Sequence, residues 1–159
     1  MGKLWAVAIA AALAAWMGPA RAAEEAFDAC DVFTQGDAEK ALGTTAATDP
    51  VNPKVKRPKV ILSCTYKGFK EGKPVSATVQ FRFSRTDAEA EHAFEDARLQ
   101  FQTKPMLISG AQAFWSGKTG QLNLRKGRTW VTVVVGSDRP SERDSGEARK
   151  AAEALAKKL

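Results

Sequence analysis

The sequence predicts an α+β fold: a single antiparallel β-sheet of about five strands, three helices packed mainly on one of its faces, and one disulfide. Three observations carry this expectation. Apolar and polar residues alternate over residues 75–84, where Val75, Ala77, Val79, Phe81 and Phe83 are interleaved with Ser76, Thr78, Gln80, Arg82 and Ser84; a period of two marks a half-buried strand. Helix start signals at Thr34, Thr86 and Pro140 each precede small and apolar residues at helical spacing. Cys30 and Cys64 are too widely separated for a CxxC redox pair or half of a zinc site.

The N-terminus carries an address. Met1-Gly2-Lys3 is a short cationic start, residues 4–17 are uncharged and rich in Ala, Leu, Val, Ile and Trp, and Gly18-Pro19 breaks any helix. Ala20-Arg21-Ala22 then offers small residues at the two positions a signal peptidase reads. The apolar run is shorter than the roughly 20 residues a membrane span needs, and no later segment is longer. The expectation is a cleaved signal peptide, 1–22, and one domain, 23–159, periplasmic or secreted, with no transmembrane segment in the mature chain. An uncleaved N-terminal anchor is the rival.

Cleavage after Ala22 leaves 137 residues, enough for one core. It also removes Lys3 and Arg21, lowering the net charge from +6 to +4. So mild a charge on an exported chain argues against nucleic acid as partner. In an oxidising compartment two such cysteines usually form a structural bridge; a redox pair or free thiols are the alternatives. Closing a loop of this length stabilises by roughly 4 kcal/mol.

Along the chain, Thr34 and Asp37 form a capping pair ahead of Ala38, Ala41 and Leu42, with Gly43 as C-cap. Residues 44–59 read as a loop that holds three prolines and the cluster Lys54, Lys56, Arg57 and Lys59. A strand follows over 60–66, with Val60, Leu62, Cys64 and Tyr66 on one face, and a hairpin loop near 68–74 joins it to the alternating strand. Thr86 and Glu89 make a capping box for a helix to about Gln102, with Ala90, Phe94, Ala97 and Phe101 on one side and Pro105 as its stop. From Ala97 to Ser137 the chain has no acidic residue. Strands are expected over 113–116, 120–126 and 128–135. A two-residue turn at Lys126-Gly127 would set Leu122 against Val131, Asn123 against Trp130 and Arg125 against Arg128, although Lys suits a positive φ poorly. A last helix runs from Pro140 and Ser141 to Leu159.

The chemistry-bearing patterns dissolve on inspection. Ser116-Gly-Lys-Thr119 imitates part of a phosphate loop, yet Gln112 stands where the motif needs glycine, and strands flank it on both sides. Glu89-Ala-Glu-His92, with Asp96 on the same side, has metal-ligand spacing, but the chain offers no second such motif. His92 is the only histidine, and no nucleophile and base can be paired around it. No catalytic, cofactor or metal residue is assigned.

A surface remains. Arg82, Asn123, Arg125, Arg128 and Trp130 fall on the polar face of the expected sheet. Arginine and tryptophan are enriched where proteins bind partners, and a guanidinium fork suits carboxylates and phosphates. The alternatives are an ordinary solvated face, or one covered by a helix through arginine stems and Trp130. With Lys54, Lys56, Arg57 and Lys59, this face points to a non-catalytic binding module for an anionic glycan, a lipid headgroup or an acidic protein. A small-ligand sensor or carrier would instead need a pocket between sheet and helices, lined by Phe81, Phe83, Phe101 and Leu124; an enzyme inhibitor would need an inserted loop.

Cys30, the segment Thr34-Gln-Gly-Asp-Ala-Glu-Lys-Ala-Leu-Gly43, Cys64-Thr-Tyr66 and Gly120-Gln-Leu-Asn-Leu-Arg-Lys-Gly127 ahead of a Val-rich strand form a set. This set resembles small exported domains best represented by actinobacterial lipoproteins of unknown function, and is similar to the extracellular sensor domain of a mycobacterial receptor kinase. The resemblance implies a Cys30–Cys64 bridge and helices on an antiparallel sheet. The chain departs from the lipoprotein pattern in having no cysteine at the cleavage site.

Overall fold

The computed structural model describes residues 27–48, 61–101, 103 and 105–159. The expected signal segment, Val60 and the cluster Lys54, Lys56, Arg57 and Lys59 lie outside these. The described chain is α+β, with one antiparallel sheet. In chain order the elements are α1 (Ala29–Val32), α2 (Gln35–Leu42), β1 (Ala46–Thr48), β2 (Leu62–Lys70), β3 (Lys73–Phe83), α3 (Asp87–Gln100), β4 (Pro105–Ile108), β5 (Ala111–Ser116), β6 (Gln121–Lys126), β7 (Thr129–Gly136) and α4 (Ser145–Ala156). The sheet order is β1-β2-β3-β7-β6-β5-β4. No helix among the described residues is long and apolar enough to cross a membrane.

Among the described residues the sheet has seven strands rather than about five, and there are four helices rather than three. The additional strands are β1, three residues inside the expected loop, and β4, where Pro105 opens an edge strand after the helix has already ended. Proline is tolerated there because an edge or first-strand position need not donate to the ladder. The additional helix, α1, is a single turn capped by Asp28, whose carboxylate accepts from the Cys30 N–H at 2.9 Å. The last helix begins later than expected. Pro140–Glu142 is a 3-10 turn, and Asp144 is the true cap, accepting from the N–H groups of Gly146 and Glu147.

Alternation along the strands divides the sheet into two faces. The inner face carries Leu62, Cys64 and Tyr66 of β2, Ala77, Val79 and Phe81 of β3, Val131, Val133 and Val135 of β7, and Leu122 and Leu124 of β6. These join α1, α2 and α4 in one buried cluster. Ala148, Ala151, Ala152 and Ala156 on α4 are small enough to bring that helix close to the strands, and all four are fully buried. The Cys30–Cys64 disulfide forms, tying α1 to β2. Lys70 pairs with Glu147 at 2.6 Å, and Lys158 donates to Val32 O and to Asp37, so both ends of α4 are anchored to earlier elements.

Two hairpins depart from expectation. Residues 68–70 and 73–75 are paired, and the β2–β3 turn is only Glu71-Gly72. In the β6–β7 hairpin the turn is Gly127-Arg128 and the register is Lys126 with Thr129, Arg125 with Trp130, Asn123 with Thr132 and Leu122 with Val133. The cause is Gly127, whose φ is +55°. A two-residue turn with glycine first and a negative φ second matches the strand twist, whereas Lys126 at that position would be strained. The shift is two residues, so every side chain keeps its face.

Candidate functional site

The outer face is built from two cross-strand rows. One runs Gln112, Arg125, Trp130, Arg82 across β5, β6, β7 and β3; its neighbour runs Phe114, Asn123, Thr132, Gln80. Four of the five expected residues in this sheet therefore meet. Arg128 does not face Arg125; it sits exposed in the turn and donates to Arg85 O at 3.4 Å.

Helix α3 covers half of this face, while the other three helices lie on the inner side. Phe114 explains why. It alternates with inward-facing Ala113, so a large ring projects outward and needs a cover. Phe94 supplies it, with its ring centroid 5.0 Å from Phe114 and 5.8 Å from Trp130. Phe101 adds a third ring, 6.4 Å from Phe114. Asn123 is consequently 3% exposed, and the Arg125 side chain 12%. Of the open alternatives, cover by a helix holds for Asn123, Arg125 and Trp130, whereas Arg82, Gln80 and Arg128 are exposed.

The covered residues are bonded to one another. Asn123 Oδ1 accepts from Trp130 Nε1 at 3.0 Å and from Thr132 Oγ1 at 3.1 Å. Its Nδ2 is buried and has no hydrogen-bond partner among the described residues. Arg125 grips Gln112 Oε1 through Nε and Nη2, at 3.1 and 2.8 Å, and Gly127 O through Nη1. Its Nη2 also lies 3.8 Å from Glu91 Oε1 of α3. At the boundary of the cover, the Arg82 guanidinium carbon stands 4.9 Å from the Trp130 ring centroid, within cation–π range. Beyond it the β2–β3 half of the face presents Ser63, Thr65, Ser76, Thr78 and Gln80, and Thr65 and Thr78 share a hydrogen bond at 3.0 Å.

Other patterns fall elsewhere. His92 Nδ1 lies 3.0 Å from Asp96 Oδ2, and both side chains are largely exposed. Ser116-Gly-Lys-Thr119 is the β5–β6 turn, where Ser116 Oγ accepts from Thr119 N. It is pinned by Arg143, which sequence reasoning missed. Its guanidinium donates to the carbonyls of Thr119, Gly120, Ser137 and Asp138. No local pattern announces such a clamp, because its acceptors are backbone atoms from two distant turns.

The residues expected to line a pocket do not meet in one cavity. Phe81 and Leu124 are fully buried on the inner face, while Phe101 packs on the outer one. A cleft of about 310 Å³ lies instead at the far end of β2 and β3, lined by Phe69, Pro74, Val75, Ser76 and Asp138 among others. No protein-family model, curated protein or solved structure matches the chain.

Proposed function

We propose that the chain is an exported, non-catalytic binding module for an acidic polysaccharide, held on the outer sheet face at the margin of α3. The observation that carries this reading is the Arg82–Trp130 pair. The cation–π contact restrains the guanidinium while Arg82 stays exposed, and an exposed guanidinium can fork to a carboxylate or sulfate. Gln80, Thr78 and Thr132 extend the row with amide and hydroxyl groups suited to sugar hydroxyls. The surroundings are polar, so a glycan fits them better than a lipid, which would need apolar anchors to insert. The Cys30–Cys64 bridge is compatible with the oxidising compartment that the leader reading implies.

Retention on dextran sulfate tests this reading. Arg82→Ala with Arg128→Ala should elute at clearly lower salt than Lys150→Ala with Lys157→Ala, which removes equal charge from exposed positions of the last helix and its end. Equal losses would reduce the face to bulk charge. Binding to anionic vesicles or to an acidic protein, with none to the polysaccharide, would reassign the partner.

A second reading, carriage of a small apolar ligand, rests on the cleft beside Phe69, a ring that is 70% exposed. Its volume is at the lower end of ligand sites. Phe69→Ser should then abolish uptake of an apolar fluorescent dye without altering retention on dextran sulfate.

A further inference from the structure

The helix that covers the outer face is poorly matched to permanent burial. Of the residues of α3 only Ala90 and Phe94 are buried, and Asp87, Glu89, Glu91, Glu95 and Asp96 give it a strongly acidic character. Beneath it, beside the single buried ring of Phe114, lie an amide, a guanidinium and an indole. Strands β4 to β7 contain no acidic residue at all. The charges are thus segregated: acids on the cover, bases on the sheet. Glu91 offers Arg125 a carboxylate at 3.8 Å, too long for a tight fork. Asn123 Nδ2 adds a donor, in a side chain 3% exposed, that finds no acceptor among the described residues.

We infer that α3 is a displaceable acidic cover, and that the surface beneath it, formed by Asn123, Arg125 and Trp130, is a second part of the polysaccharide site. In the closed form the guanidinium donates to Gln112 and Gly127 with the Glu91 carboxylate 3.8 Å away, and Phe94 stands edge-on to the indole. When α3 lifts, an acidic sugar can take both places, with its carboxylate or sulfate on Arg125 and an oxygen on Asn123 Nδ2. Elements held by few buried apolar contacts open before the body of a fold. If only a fraction of molecules is open, apparent affinity is reduced by that fraction. Weakening the internal competitor should therefore tighten binding, although it leaves every residue of the sheet unchanged. This inference rests on the polysaccharide reading above.

Two measurements on the full chain test it. In the first, dextran sulfate is titrated against Glu91→Gln, with Asp96→Asn as the control that removes the same charge from a carboxylate of the same helix that faces His92 instead of the sheet. Glu91→Gln should tighten binding roughly 5-fold, Asp96→Asn less than 2-fold, and adding Arg125→Gln should cancel the gain. Equal tightening by the two single variants would overturn the cover, leaving only bulk charge. In the second, hydrogen exchange of the free protein should show α3 amides exchanging well before those of β6 and β7, and losing further protection at saturating dextran sulfate. Exchange of α3 together with the strands, or greater protection on binding, would overturn the cover even if Arg82 and Arg128 prove essential. Absence of binding by every form would overturn both readings, whereas binding that depends on Glu91 and Arg125 but not on Arg82 would overturn only the first.

Discussion

Phe94 stands edge-on to Trp130, with ring centroids 5.8 Å apart and planes at 85°. Among the described residues this contact joins the only helix on the outer face to the row that holds Arg82 and Arg125. It also makes Trp130 a reporter of whether α3 is seated.

Phe94→Ala should therefore lower stability by about 3 kcal/mol, at the modest end for a buried Phe because, among the described residues, α3 is the one helix in the roof. The indole N–H resonance of Trp130 should move, since a neighbouring ring has been removed. Denaturant midpoints and an amide spectrum check both. An unchanged Trp130 signal would mean that α3 does not rest there.

The Cys30–Cys64 bridge closes a loop with a sequence separation of 34. Reduction should cost about 4 kcal/mol by loop entropy, and the Cys30→Ala variant should unfold at the same denaturant concentration with or without reductant. A wild-type midpoint insensitive to reductant would contradict this.

Gly120 has a φ of +58°, and a Cβ there would lie 2.6 Å from Pro140 O, whereas the nearest neighbour of a Cβ at Gly117 is Trp115 Nε1 at 3.8 Å. Gly120→Ala should destabilise by at least about 2 kcal/mol, combining left-handed strain with a backbone clash. Gly117→Ala should be close to neutral. Thermal melts of the two variants decide the matter.

Burial alone would raise the Asp37 carboxyl, but hydrogen bonds from Lys158 and Thr34 hold it below its ordinary value of 3.8. A carboxyl depressed by folding contributes stability that is fully present above its unfolded value and lost as pH falls through the lower folded value. Asp37→Asn should accordingly melt below wild type at pH 6, and the gap should close as the pH drops below about 4. A gap that persists undiminished at pH 2 would assign the effect to shape instead of charge.

Much of this fold was legible because its signals are local. The Thr34–Asp37 capping box and the Gly43 cap form within a few residues, and both are present. The alternation along β3 reports burial directly, so Val79 and Phe81 face inward as expected. Other features depend on distant partners. β1 is too short to show a period, and the β6–β7 register turned on which residue would accept a positive φ. Arg82, Asn123, Arg125 and Trp130 do come together, yet the amphipathic pattern of α3 could not say which sheet face it would cover. One signal was there to be read. Phe114 alternates onto the same face as Trp130, and two large rings on a supposedly wet face require a roof.

The site itself is tested most directly by mapping amide and indole perturbations while dextran sulfate is added to the full chain. Shifts should concentrate on Gln80, Arg82, Trp130 and Thr132, the run of the two rows at the margin of α3. Shifts confined to Phe69 and Pro74, or scattered over exposed lysines such as Lys118 and Lys150, would contradict binding at this face.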